Sequence, residues 1–321
     1  MNALSPVSLE EISAAQKRIG EWVMRTPLVR WNGDAPPGVE IFLKLENLQP
    51  IGSFKLRGAT NAIASAPAAR LAGGVYTASA GNMAQGVAWT ARRLGIPCAV
   101  IVPDQAPAAK LRAIERLGAT IEKRSFDQWW RVLAEHGDPR RKDFFVHPVS
   151  DRAVVAGNGT IGVEIADDLP DVDAVVVPYG GGGLSSGIAC ALRSLRPGTK
   201  VFAAEAATSA PLTASLAAGE PVVPAYAASF VDGIGSKGLL AEMWPMVRAL
   251  LAGSIPVSLA EIASAIRMLV ERNRVVAEGA GAASVAAALT GRAGTGKIVC
   301  IVSGGNIDSE KLATILAGGI P

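Results

Sequence analysis

The sequence predicts an α/β fold with mostly parallel sheets, and three observations carry that prediction. Short β-branched runs recur along the 321 residues: EIFLKLE (40–46), GVYTAS (74–79), PCAVIVP (97–103), DAVVVPYG (173–180), KVFAAE (200–205) and KIVCIVSGG (297–305). A longer, Ala-rich amphipathic segment follows each run, the rhythm of strands buried on both faces and linked by helices. The runs fall into two groups, one around residues 75–146 and one around 172–303. No long linker separates them, so the two halves are expected to pack around a cleft.

The intervening segments 83–94, 107–117, 184–195 and 259–271 read as helices, with Asp104 and Ser258 as nearby polar starts. The stretch PVSDRAVVAGNGT (148–160), rich in Gly, Ser and Asp, reads as a loop crossing between the two groups. GAGAASVAAAL (279–289) reads as a helix of small residues lying close to a sheet. No tandem repeat is present.

Composition excludes several classes of function. Half of the residues are apolar, enough for a sizeable core. The longest apolar runs, 174–178 and 297–302, are too short to span a bilayer, and the N-terminus has no basic segment followed by an apolar one. The expectation is a soluble, cytoplasmic protein. Cys98, Cys190 and Cys300 lie far apart in apolar segments, the pattern of reduced core thiols and not of a disulfide framework. Two histidines, His136 and His147, are too few for a His-rich metal site or an evident Ser-His-Asp triad. The net charge of +3 is spread out, apart from Arg140, Arg141 and Lys142 in a loop, so no nucleic-acid partner is expected.

The strongest motif is VVVPYGGGGLSSGIA (175–189), a strand, four glycines and a helix start. Consecutive glycines expose main-chain amides where the helix dipole favours an anion, which points to a phosphate site at Gly180, Gly181, Gly182 and Gly183. Followed by a strand ending in Glu205, the unit has the outline of a dinucleotide site, but G-x-G-x-x-G is met in no frame. GRAGTGK (291–297) has P-loop spacing, yet Ile298 stands where a Mg-binding hydroxyl belongs and the segment leads into a strand. TASAGNMAQGVA (77–88) places Gly81 and Asn82 at a turn before a helix, and SGGN (303–306) repeats a strand end with glycines. NLQPIGSFKLRG (47–58) sets Lys55 between Phe54 and Leu56, an unusual setting for a solvated charge.

In order and approximate spacing, ENLQPIGSFKLRGA, ASAGN, PYGGGGL, VAEGAGAA and VSGGNID resemble the pyridoxal-phosphate enzymes of the serine/threonine dehydratase family, fold type II, which includes serine racemase and hydroxyaspartate dehydratases. The likeness runs from RTPL (25–28) to Asp308. It implies two open twisted α/β domains with the cofactor in the cleft between them: residues 1–72 plus 150–321 as the large cofactor-binding domain, and 73–149 as a small domain inserted in it. It further implies that Lys55 bonds covalently to pyridoxal 5'-phosphate and then acts as catalytic base, its pKa lowered by apolar neighbours. Gly180 to Gly183 would hold the phosphate, Asn82 the ring 3'-oxygen, Ser303 the ring nitrogen, and Phe54 would flank the ring. Ser79, Asn82 and Met83 would take the substrate carboxylate, and Ser236 in VDGIGSKG would line the pocket. Glu278 falls near the cofactor, where a site role and a plain helix-start acid both fit.

The implied activity is that of an ammonia-lyase, eliminating the β-hydroxyl of threonine or serine to give a 2-oxo acid and ammonia. The alternatives are β-elimination on phenylserine, hydroxyaspartate or a solute-derived amino acid, and a pyridoxal-phosphate-binding protein without turnover. Ala80 stands where racemases carry a hydroxyl, which disfavours racemisation. Met83 and Val149 replace polar residues and favour an apolar β-substituent. Glu205 matches one ligand of the divalent (Mg) or monovalent cation that some members bind, but AATSAP supplies no second acid. A homodimer is expected from the family, and a regulatory C-terminal domain is not.

Overall fold

The computed structural model describes residues 3–321 and contains two sheets. The strands in chain order are β1 (Leu28–Arg30), β2 (Val39–Lys44), β3 (Val75–Ala78), β4 (Cys98–Pro103), β5 (Thr120–Arg124), β6 (Phe144–Phe145), β7 (Ala174–Pro178), β8 (Lys200–Ala206), β9 (Gly253–Val257) and β10 (Gly296–Ile301). Six of them form one sheet in the order β1-β2-β10-β7-β8-β9, parallel except for β1. The other four form a wholly parallel sheet in the order β5-β4-β3-β6. Among the described residues no helix is long and apolar enough to cross a membrane.

Alternation along the central strands explains the layers. In β7, Val175 and Val177 face the helices Arg152–Asp168 and Gly183–Leu195, while Val176 faces Leu259–Met268 and Gly279–Leu289. Both faces of the strand are thus buried, as parallel strands require. The small sheet is built the same way: Val75, Val100 and Val102 face the helix Asn82–Leu94, and Tyr76, Ala99 and Ile101 face Phe126–Ala134. The helix Lys55–Ser65 contributes Ala59, Ala62 and Ile63 to the cluster under the small sheet. Its other flank packs on Arg152–Asp168, so it lies between the two sheets.

The segment expected to be a loop crossing, 148–160, is helical from Arg152 onward. Asp151 caps it, accepting the Ala153 and Val154 amides at 2.7 and 3.0 Å. Its glycines serve close packing and not chain reversal: a Cβ at Gly157 would stand 2.6 Å from the Arg57 carbonyl oxygen. GAGAASVAAAL is a helix against the large sheet, as its small residues suggest. GRAGTGK is a turn feeding β10, with Lys297 paired to Asp171 at 2.5 Å.

One buried ionic network fixes the start of the helix Lys55–Ser65. Arg57, 1% exposed, reaches Glu46 with Nε and Nη2, both at 2.8 Å, and Glu164 with Nη1 and Nη2 at 2.6 and 3.0 Å. Lys44 Nζ pairs with Glu164 at 2.7 Å and donates to the Thr26 carbonyl at 2.7 Å. Burial alone would raise the Glu46 pKa, but Arg57 and the Thr26 hydroxyl hold it below the ordinary value. Arg57→Ala leaves two carboxylates buried with one cation between them. It is expected to lower the unfolding free energy by about 3–5 kcal/mol, measured by chemical denaturation; an unchanged midpoint would show that the network is dispensable.

Candidate active site

The carboxyl ends of β3, β4, β7 and β10 open into one cleft of about 370 Å³ between the two sheets, the place where parallel α/β sheets bind ligands. Phe54, Lys55, Ser79, Asn82, Met83, Gly180, Gly181, Gly182, Gly183 and Ser303 all line it. Residues far apart in sequence are thereby brought together as the motifs imply.

Lys55 is the first residue of its helix, and its Nζ donates to the Pro148 carbonyl at 2.8 Å and lies 5.2 Å from the Phe54 ring centre. It is half-buried on the cleft wall, and burial lowers its pKa to about 8. The Pro148 carbonyl is held in place by His147. Burial, with His136 beside it, lowers the His147 pKa to about 3, so its neutral Nδ1 accepts the Val149 and Ser150 amides at 3.1 and 2.8 Å. This short turn sets Val149 against the glycine loop.

That loop leaves no room for side chains on its Val149 side. A Cβ at Gly181 would meet the Val149 methyls at 2.6 Å, and one at Gly183 would meet the Val149 carbonyl at 2.9 Å. Gly182 has φ +94°, the left-handed region. The Ser186 amide bonds to the Gly182 carbonyl at 2.9 Å, and the first amides of the helix precede it, without intrahelical acceptors. Such a set of amides at a helix start suits a phosphate.

Asn82 Nδ2 donates to Glu278 Oε1 at 2.9 Å, and Asn82 Oδ1 accepts from Asn306 Nδ2 at 2.8 Å. Burial, and then Asp232, raises the Glu278 pKa to about 7. Of the two readings of Glu278, the side-chain cap is absent and the carboxyl lines the cleft. Lys110, from the small-sheet side, meets Asp232 at 2.5 Å, and both also line the cleft. Sequence reasoning gave no role to Asn306, Lys110, Asp232 or Trp129. Asn306 and Asp232 carried a signal, as members of SGGN and VDGIGSKG.

Two expected residues lie outside the cleft lining. Ser236 Oγ donates to the Gly238 carbonyl at 2.6 Å and its own carbonyl accepts Ser209 Oγ, so its neighbours Asp232, Gly233 and Ile234 line the cleft in its place. Glu205 is buried, and its oxygens accept the Leu212 and Thr213 amides and the Thr213 and Ser254 hydroxyls at 2.7–2.8 Å. Its carboxylate thus takes up amides at the start of the helix Pro211–Ala218. Among the described residues no group of three or more His, Cys, Asp or Glu side chains is placed to hold a metal.

Gly181→Ala is expected to displace the loop against Val149 and to weaken uptake of a phosphate-bearing ligand. Adding Val149→Ala should restore part of it, read by spectroscopic titration with pyridoxal phosphate; equal binding by Gly181→Ala and the parent would count against the loop as cradle.

A family model described as pyridoxal-phosphate dependent enzyme matches residues 19–304. The L-threonine ammonia-lyase of Thermotoga maritima is 42% identical over 318 residues, covering 98% of this chain and 79% of that protein. The L-threonine ammonia-lyase of Geobacter sulfurreducens is 40% identical over 314 residues, covering 96% and 78%. Among solved structures, maize serine racemase is similar with a TM-score of 0.90 at 32% identity, covering 98% of each chain. The processed threonine deaminase isoform 2 of Solanum lycopersicum follows at 0.85 and 30%, covering 98% of this chain and 91% of that one.

Proposed function

The chain belongs to the pyridoxal-phosphate-dependent enzymes, and we propose that it is an ammonia-lyase that removes the β-hydroxyl of threonine, giving a 2-oxo acid and ammonia. The observation that carries this reading is the state of the cleft's charged groups. Lys110 and Asp232 pair with each other and Glu278 is tied to Asn82, so among the described lining residues Lys55 is the one base not engaged by another side chain.

The residues present fit the cofactor. The glycine loop offers amides in a space that a Cβ would fill, Lys55 offers a desolvated amine, and Ser303, 3% exposed, faces the cleft with a neutral hydroxyl. When bound, the cofactor supplies an electron sink for the carbon that loses its proton. Lys55 would hold the cofactor, and its amine would take the α-proton of the substrate. The start of the helix Asn82–Leu94, with Ser79, receives the substrate carboxylate, where the helix dipole favours it. Ser303 would offer the cofactor ring a neutral hydroxyl and no carboxylate, which would keep the sink modest and suit prompt loss of the hydroxyl. Met83, Val149 and Trp129 give the cleft an apolar wall that accepts a β-methyl. Ala80 puts no acid or base at the racemase position, which supports elimination over racemisation.

Lys55→Ala is expected to abolish both the visible absorbance of the loaded protein and release of 2-oxo acid, and unchanged turnover would sink the mechanism. Threonine, serine, phenylserine and hydroxyaspartate isomers should be compared by 2-oxo acid release and chiral analysis. Threonine is expected to lead and no inverted amino acid to form; a lead by phenylserine would move the reading to a bulkier substrate. Because the Lys55 pKa is lowered to about 8, its amine becomes reactive as pH rises through that value. Uptake of pyridoxal phosphate by the apoprotein should accelerate about two pH units below the range of an ordinary lysine, as followed by stopped-flow absorbance.

A further inference from the structure

Glu278 heads the helix Gly279–Leu289 without capping it. Its amide donates to the Gly304 carbonyl at 3.0 Å, and its carboxyl turns into the cleft. Two glycines give it space: a Cβ at Gly304 would stand 2.6 Å from Oε1, and one at Gly233 3.4 Å away. Among the described residues no cation pairs with it, and Lys110 is taken by Asp232. What the carboxyl does contact is Asn82 Nδ2, at 2.9 Å.

The opposite end of the Asn82 amide is held as well. Asn306 Nδ2 donates to the Ile51 carbonyl at 2.9 Å and to Asn82 Oδ1 at 2.8 Å. A carbonyl only accepts, so the Ile51 contact identifies that atom of Asn306 as nitrogen. Asn82 must then present its oxygen to Asn306 and its nitrogen to Glu278. Glu278 takes one of the two Nδ2 hydrogens, and the second is left for the cleft.

We propose that Glu278 is a positioning residue for Asn82: with Asn306 it clamps the amide from both ends, fixing one N–H toward the cofactor, and the clamp slackens when the carboxyl takes up a proton. The inference rests on the cofactor reading above. An ionised carboxylate makes the stronger, charge-assisted bond, and protonation leaves a weaker neutral acceptor. The groups that face this carboxyl are Asp232 on the turn Asp232–Ile234, Lys110 on the helix Ala108–Glu115, Asn82, and the Asn306 amide. Burial and Asp232 raise its pKa while Asn82, Lys110 and the Asn306 amide oppose them, which leaves it near neutrality at about 7.

Titration of the apoprotein with pyridoxal phosphate, with visible spectra recorded across pH, tests the clamp. Glu278→Ala should weaken cofactor binding by about tenfold or more, the usual effect of losing a charge-assisted hydrogen bond, and Asn306→Ala should weaken it in the same direction. Glu278→Gln keeps only a neutral acceptor, so at every pH it should bind as the protonated parent does, less weakened than Glu278→Ala, and it should lack the spectral transition expected of the parent near pH 7. Should Glu278→Ala fail to fold, the Glu278→Gln spectra still decide. Unchanged affinity in Glu278→Ala, or a transition that persists in Glu278→Gln, overturns the proposal alone. A parent that takes up no pyridoxal phosphate overturns the cofactor reading and the clamp with it.

Discussion

The interaction on which the rest of the molecule depends is the buried network of Arg57, Glu46, Glu164 and Lys44. Arg57 lies two residues beyond Lys55, and its partners come from the turn after β2 and from the helix Arg152–Asp168. Those ties fix where the helix Lys55–Ser65 begins. They therefore fix where the lysine amine stands relative to the glycine loop. A buried ion pair is a poor source of net stability, because two desolvation penalties offset the attraction. Its geometry is demanding, however, and the structure uses that demand to place one amine.

The same desolvation acts differently on groups that lack such partners. Arg57 and Glu46 keep their charges because they satisfy each other. Lys55 and Glu278 face only neutral atoms at short range, and burial moves both toward neutrality from opposite sides. A cleft with an amine and a carboxyl that both titrate within reach of pH 7 is a working arrangement for moving protons. It follows from the cleft walls and not from any unusual residue.

Much of this was legible in the sequence. The central strands announced themselves through Val and Ile runs, because parallel strands are buried on both faces. Gly180 to Gly183 were legible as a run, and the structure gives reasons for three of them: a Cβ at Gly181 or Gly183 would clash with Val149, and Gly182 has positive φ. The helix at 152–168 was not. Its glycines look like turn residues in one dimension and become packing residues only when the helices Lys55–Ser65 and Gly183–Leu195 lie against them. Ser236 and Glu205 illustrate a related point: a hydroxyl and a carboxylate suit a site in one dimension, and in the structure each also satisfies nearby main-chain groups. The contact between Glu278 and Asn82 spans 196 positions, and nothing local foretells it.

Val149 touches more than its size suggests. Its methyls fill the space beside Gly181, its carbonyl lies against Gly183, and its own amide is held by His147 in the turn that supports Lys55. A substitution at this position would reshape the substrate pocket, the phosphate cradle and the lysine's resting contact together. Evolution is therefore constrained on this wall of the cleft. Room for a new substrate is more readily found on the small-sheet side, where Met83 and Trp129 line the cleft.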